Sequence, residues 1–262
     1  MTARLSAINL YPVKSAAGIG VERWPLDEFG LRFDRRWAVI DATGVVLTQR
    51  EYAGMALVRT AIGQHHLRLE APGMPLLEVP LAGSGGSRLP VRIWDDGVEA
   101  ERCPPEADEW WSALLGEWCH LVRLPDGAQR SPGPDRVSFA DACSFLVLSE
   151  ASLAALNGRL EKPVPMNRFR PNLVVTGVEP HAEDEWSAVS VGSVELAITK
   201  PCVRCVMTTI DQATAARGVE PLRTLAGYRR APGEGVVFGQ YARHLTQGAL
   251  AVGDPIVPVV RA

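Results

Sequence analysis

The segment Lys200-Pro201-Cys202-Val203-Arg204-Cys205 holds the strongest chemical signal in the chain. A Cys-x-x-Cys spacing serves three chemistries. A thioredoxin-like redox pair needs its first cysteine at a helix N-terminus, where the dipole lowers the thiol pKa. The residues after this pair, Val206-Met207-Thr208-Thr209-Ile210, read instead as a strand. Structural zinc needs four ligands, commonly two such pairs or one pair with two histidines. No second pair exists, Cys103, Cys119 and Cys143 are scattered, and the adjacent His65 and His66 would face opposite sides of a strand. The third chemistry uses one cysteine as a thiolate ligand to a soft redox metal that another chelator also holds. Arg204 beside the pair favours a thiolate electrostatically. Spacing alone leaves all three open.

Three basic segments are the next candidates. Lys14-Ser15 ends the first apolar run, Asp34-Arg35-Arg36-Trp37 opens a second, and Asn167-Arg168-Phe169-Arg170-Pro171-Asn172 precedes a third. Guanidinium forks and a lysine point charge are natural phosphate binders. Each segment taken alone reads equally as solvated surface charge. A shared site requires that they converge on the cysteine pair in space.

The elements that must position these groups are mostly short strands. Ser6–Val13 reads as a first strand, and Trp37–Ile40 with Val45–Thr48 as a hairpin around Asp41-Ala42-Thr43-Gly44. Further strands are expected at His66–Glu70, Leu76–Val79, Val91–Trp94 and Cys119–Leu124. In the second half they are expected at Phe145–Leu148, Asn172–Val178, Ser193–Thr199, Cys205–Ile210, Val236–Tyr241 and Ile256–Val260. Helices are expected at Glu106–Glu117, from Ser149 as N-cap with Leu153, Leu156 and Leu160 on one face, and at Pro221–Arg230. The Gly83–Ser87 loop lacks the Gly-Lys-Ser/Thr ending of a phosphate loop and reads as a hairpin loop. Pro125–Ser138, rich in Pro, Gly, Asp and Ser, is the best linker. The pattern favours a mainly β or α+β fold over a doubly wound sheet.

Composition sets the outer bounds. The 262 residues are 47% hydrophobic, enough for a sizeable core in one or two domains. A net charge of -3 without a long Lys/Arg run argues against a nucleic-acid polymer as partner. No run of about 18 apolar residues suggests a membrane span, and the N-terminus lacks the pattern of a secretory signal. Five cysteines, odd and few, suit a reducing, cytoplasmic setting.

Taken in order, several segments resemble MOSC-domain proteins, in particular the mitochondrial amidoxime-reducing component and its bacterial relatives. They are Tyr11-Pro12-Val13-Lys14-Ser15, Asp34-Arg35-Arg36-Trp37, Leu148–Leu153, Phe169-Arg170-Pro171-Asn172 and Cys202–Asp211. Phe238-Gly239-Gln240-Tyr241 and Val252-Gly253-Asp254-Pro255 complete a set that spans almost the whole chain. The cysteine segment with its Thr-Thr-Ile-Asp tail is the most specific part.

The resemblance implies a β-barrel MOSC core over residues 125–262 and a β-rich N-terminal region over 1–124, whose first 35 residues contribute to the core site. It implies molybdenum cofactor (Mo-molybdopterin) held through Cys205, not Cys202. Lys14, Ser15, Arg35 and Arg170 match cofactor-binding positions, chiefly for its phosphate, and Tyr241 matches a further contact. Asp141, Ala142 and Cys143 fall where relatives contact the cofactor; relatives often carry a hydroxyl residue there, and some carry Ser where this chain has Val203. The implied activity is an oxidoreductase that reduces N-hydroxylated compounds such as amidoximes and hydroxylamino-purines. Asp211 is a candidate to assist protonation. Electrons are expected from a separate donor (a reductase, ferredoxin or cytochrome b5-like protein), because neither an appended four-cysteine iron–sulfur motif nor an N-terminal anchor is recognised. The alternative is a non-catalytic carrier of the cofactor or of sulfur.

Overall fold

The computed structural model describes residues 2–128, 130 and 136–261. Residues 129 and 131–135 of the expected linker lie outside the described residues. Of the rest of that segment, Arg130 is buried and its Nη1 donates to the carbonyls of Ser138 and Ala140, both at 2.6 Å.

Strands far outnumber helices. The first half contributes β1 (Arg4–Leu10), β2 (Ile19–Val21), β3 (Arg23–Asp27), β4 (Gly30–Leu31) and β5 (Trp37–Asp41). It continues with β6 (Arg59–Ile62), β7 (His66–Glu70), β8 (Leu77–Pro80), β9 (Arg88–Ile93) and β10 (Asp96–Arg102). Helix α1 (Pro105–Leu115) and β11 (Cys119–Arg123) follow. The second half supplies β12 (Phe145–Ser149), α2 (Glu150–Asn157), β13 (Leu173–Thr176), β14 (Trp186–Val191) and β15 (Val194–Val203). It ends with α3 (Leu222–Ala226), β16 (Arg230–Ala231), β17 (Gly235–His244), β18 (Ala249–Ala251) and β19 (Ile256–Val260).

Among the described residues the largest sheet has nine strands, in the order β19-β14-β15-β17-β12-β13-β1-β2 with β16 on β17. A four-stranded sheet runs β5-β11-β10-β9, and two three-stranded sheets run β18-β3-β4 and β6-β7-β8. The sequence pattern explains the placement. β12 is buried at every residue, as a central strand covered on both faces must be. β7 alternates, with Leu67 and Leu69 inward and His66, Arg68 and Glu70 in solvent. β1 leaves the first half and pairs antiparallel with β13, while β3 pairs with β18. Leu5, Ile8 and Leu10 of β1 are thereby buried with Phe145, Leu173 and Leu196. Each contributes roughly 1.5–3 kcal/mol by its burial.

Several expectations need correction, and one strand was not foreseen. Val206–Thr209 is a 3-10 turn rather than a strand, and β15 has already ended at Val203. The β-branched composition misleads because the threonines bond backward. Thr208 Oγ1 donates to the Cys205 carbonyl at 3.0 Å and Thr209 Oγ1 to that of Val206 at 2.7 Å, which closes the turn. The helix expected over Pro221–Arg230 is confined to Leu222–Ala226. The charged strand β10 has no clear apolar alternation, since only Ala100 is buried, and it forms because β9 and β11 pair with it on both sides. Finally, the expected barrel is an open sheet. β1 approaches the chain before β19 through the bridge Arg4–Pro255, with Leu5 N donating to Asp254 O and Gly253 N to Leu5 O. Ile256 N also donates to Ala3 O, but Asp254 N turns back to Ala251 O, so the pairing stops at this one bridge.

The tryptophans of α1 are core: Trp111 is fully buried and Trp110 nearly so. The helix is tied down by Asp108, a carboxylate with no exposed surface. It accepts from Arg102 Nε at 2.6 Å and Leu121 N at 2.9 Å and pairs with His120 Nδ1 at 2.7 Å. Removing it leaves a half-buried guanidinium without its carboxylate and a buried N–H without an acceptor. Asp108→Ala is expected to cost about 2–4 kcal/mol, lowering the midpoint of thermal unfolding by on the order of 10 °C, with a smaller loss in Asp108→Asn. Calorimetry checks this.

Candidate functional site

Six separate stretches meet at one cavity of about 100 Å³. The turn after β1 brings Lys14 and Ser15, and the turn before β5 brings Arg35. The segment before β12 brings Asp141 and Cys143, and the approach to β13 brings Arg168, Arg170 and Asn172. The end of β15 and the following 3-10 turn bring Cys202, Arg204 and Cys205, facing Tyr241 on β17. A wider cleft of about 810 Å³ adjoins it, and Asp141, Val203, Cys205 and Tyr241 line both. Cys205 therefore stands where the inner cavity opens.

The inner cavity is built for an anion. Its lining holds Lys14, Arg35, Arg168, Arg170 and Arg204 against one carboxylate, Asp141. Tyr11 separates two of the cations: its buried ring lies 4.3 Å from the Arg35 guanidinium and 4.3 Å from that of Arg170. Each contact is a cation–π attraction. Burial pulls the Arg170 pKa down to about 10, with the nearby Arg35 acting in the same direction. Arg35 is balanced by Asp34 at 2.5 Å and donates to Asn172 Oδ1 at 2.9 Å. Burial likewise lowers Lys14, while Asp141 at 2.5 Å opposes the shift. Burial disfavours the Asp141 carboxylate too, but Lys14 and Arg50 outweigh it and hold the carboxyl well below the usual range.

The backbone is strained at this cavity. Ser15 (φ 70°), Arg35 (φ 49°) and Arg170 (φ 55°) all adopt left-handed conformations without being glycine. Such residues cost on the order of 1–3 kcal/mol each and persist only where surrounding contacts hold them. Here Gln49 Nε2 donates to Ser15 O at 2.6 Å, Arg35 N donates to Tyr11 O at 2.9 Å, and Arg170 Nη1 donates to Ala16 O at 2.7 Å.

The two cysteines differ. Cys202 is buried, with Arg204 Nη1 2.7 Å from its sulfur. The Tyr241 phenol, raised far above its usual range by burial first and by Cys202 next, also bonds to it. Cys205 is half-buried, and its sulfur accepts from Arg50 Nη2 at 3.5 Å. Arg204, the cation that sequence places beside the pair, contacts Cys202, and Arg50 from the first half of the chain contacts Cys205. Among the described residues no group of three or more His, Cys, Asp or Glu side chains is placed to hold a metal ion. A metal at Cys205 must bring most of its own ligands.

Of the residues singled out in the sequence, Cys205, Lys14, Ser15, Arg35, Asp141, Cys143, Arg170 and Tyr241 line the inner cavity. Ala142 lines only the outer cleft. Asp211 lines neither: its carboxylate accepts from Ala213 N and Thr214 N and lies 3.7 Å from Arg168. The Ala213 N–H and its neighbours hold it below the usual carboxyl range, and the carboxylate faces its own loop rather than the cavity. Sequence reasoning missed Arg50 and Trp94, and it quoted Tyr11 and Asn172 within matching stretches without giving either a role. A tryptophan in the turn-forming run Trp94-Asp95-Asp96-Gly97 was a usable signal; Arg50 carried none.

Fold and site together define a β-rich protein whose two halves share a cationic cavity opening at a cysteine. Comparison narrows this further. The MOSC N-terminal beta barrel domain model matches residues 2–118 and the MOSC domain model residues 134–257. Mitochondrial amidoxime-reducing component 1 of Mus musculus is 35% identical, covering 94% of this chain and 79% of the relative. Mitochondrial amidoxime reducing component 2 of Bos taurus is 34% identical over 98% of this chain and 83% of its own length. The molybdenum cofactor sulfurase of Solanum lycopersicum is 33% identical over 97% of this chain, which spans 35% of that relative. The chain belongs to the MOSC family.

Two outcomes follow from the charge arrangement. Inorganic phosphate should raise the thermal midpoint of the cofactor-free chain by an amount that grows with concentration, through preferential binding to the folded state. Arg170→Gln should remove most of that increment, measured by thermal shift against a chloride control. The second concerns acid. Because the folded Asp141 carboxyl lies below its unfolded value, the stability it confers is present above about pH 4 and is lost as pH falls. Urea titrations should show a smaller loss between pH 5 and pH 3 in Asp141→Asn.

Proposed function

We propose that this chain is a molybdenum-cofactor-binding oxidoreductase that reduces N-hydroxylated compounds, with the Cys205 thiolate as the protein's ligand to the metal. One observation carries the reading: all but Ala142 of the residues that match the family's cofactor positions, scattered from Lys14 to Tyr241, line a single cavity whose cationic wall ends at Cys205. The donor set fits. A soft thiolate suits molybdenum, and a pterin that chelates the metal itself makes a ligand cluster from the protein unnecessary. When bound, the cofactor supplies two-electron reduction of the nitrogen–oxygen bond.

In this reading the chain's own residues bind, orient and shield. Lys14, Ser15, Arg35 and Arg170 hold the phosphate, and Arg168 and Arg204 add positive potential behind them. Arg50 donates to the Cys205 sulfur and holds it at the mouth of the cavity. Asp141 keeps Lys14 charged and in place, and Cys143 and Tyr241 form the side walls. Ala142 contributes to the substrate cleft. Electrons come from a separate donor, a reductase, ferredoxin or cytochrome b5-like protein. Among the described residues no helix is long and apolar enough to cross a membrane. The proposed setting is the reducing cytoplasm, where all five thiols can stay reduced.

The match to molybdenum cofactor sulfurases, of which this chain spans a third, favours a second reading: a non-catalytic carrier of the cofactor or of sulfur. Turnover separates the two. The protein, made in a host rich in cofactor and molybdate, should contain about one molybdenum per chain and reduce benzamidoxime with an artificial donor. Cys205→Ser should lose both metal and turnover. Cys202→Ser, which keeps a partner for Arg204, should retain the metal. Loss of metal in the second variant and not the first would falsify the ligand assignment, and full loading without turnover on any N–O substrate would favour the carrier.

A further inference from the structure

Trp94 is out of place by every structural measure. It is 58% exposed, the backbone there is left-handed (φ 54°), and it sits in the turn between β9 and β10. A bulky side chain in that conformation is strained, and an exposed indole adds nothing to a core. Yet its position is firmly held. The Arg50 guanidinium stacks on the ring at 4.7 Å, and Nε1 donates to Asp141 Oδ1 at 3.3 Å. Arg50 is the same residue that donates to the Cys205 sulfur and lies 3.6 Å from Asp141. The first half of the chain thus reaches across and presents an aromatic surface to the cleft that opens at Cys205.

We propose that Trp94 is a specificity-determining wall of the outer cleft, which selects planar aromatic substrates over aliphatic ones; the proposal rests on reading Cys205 as the reductive centre. The cleft contains Trp94, Pro201, Val203 and Tyr241 around Cys205, so a flat ring meets aromatic and apolar surface. Arg50 covers part of one face of the indole, and the exposed remainder is available for stacking. Offset-stacked and edge-on aromatic pairs gain attraction beyond their buried area. The same cleft carries the cations Arg50 and Lys200 and the carboxylates of Asp95, Asp96 and Glu234, of which Asp96 is paired with Arg130 at 3.2 Å, so Asp95 and Glu234 are the ones placed to meet a cation. They suit the amidinium, a planar cation, that forms when an amidoxime loses its oxygen. An aliphatic amidine shares the charge but has no ring to stack, so the discrimination falls on Trp94.

The test is equilibrium binding, independent of turnover. Benzamidine and acetamidine are titrated by calorimetry into the cofactor-loaded native chain, Trp94→Ala and Trp94→Phe, with molybdenum per chain measured in each. The native chain is expected to prefer benzamidine by about tenfold, Trp94→Ala to keep about twofold or less, and Trp94→Phe to keep most of the preference. Metal content should be the same in all three. No preference in the native chain, an undiminished preference in Trp94→Ala, or an equal loss in Trp94→Phe (which also lacks the bond to Asp141) overturns the proposal. If the preference depends on Trp94 but the native protein reduces no N-hydroxylated compound, the aromatic wall stands and the reductase reading fails.

Discussion

Lys14, Arg35, Arg168, Arg170 and Arg204 line one cavity, and like charges held together in a poorly solvated space repel strongly. Most of the local architecture answers that repulsion. Asp34 and Asp141 neutralise part of it, and the Tyr11 ring takes a guanidinium on either side. Backbone carbonyls of Phe139, Ala16 and Phe169 accept from Lys14, Arg170 and Arg204. What stays uncompensated is the potential that a bound phosphate would meet.

Holding such an arrangement requires contacts from both halves of the chain. β1 is a strand of the second-half sheet, so the turn that carries Lys14 and Ser15 is anchored by β13 and not by its sequence neighbours. Gln49 and Gln212 exchange amide hydrogen bonds at 2.9 and 3.2 Å, and Arg217 Nη2 donates to the carbonyls of Arg50 and Glu51. These ties fix the loop that places Arg50 beside Cys205. The left-handed residues Ser15, Arg35 and Arg170 persist because this frame over-determines them.

Several elements were legible before any coordinates. The helix with Ser149 as cap starts where expected, and the cap accepts from Ser152 N at 3.0 Å. The strand at His66–Glu70 follows directly from its alternation. The 3-10 turn after Cys205 was not legible, because Thr is as common in strands as in backward-bonded turns and only the bonded geometry separates them. β10 was missed for the opposite reason: its stability comes from partners on both sides, not from its own side chains. Asp211 looked chemically available beside the cysteine motif, but its loop turns the carboxylate onto its own backbone.

The sequence by itself determined a β-rich chain, its family, and the residue types of the site, because these depend on local pattern and on ordered motifs. Tertiary structure decided which of those residues meet, and how the two cysteines divide: Arg204 on the buried Cys202, Arg50 on the accessible Cys205. It also decided that an exposed tryptophan of the first half faces the cleft of the second. The reason is physical. Convergence of residues far apart in the chain depends on strand order and backbone handedness, and neither is set by the composition of any single segment.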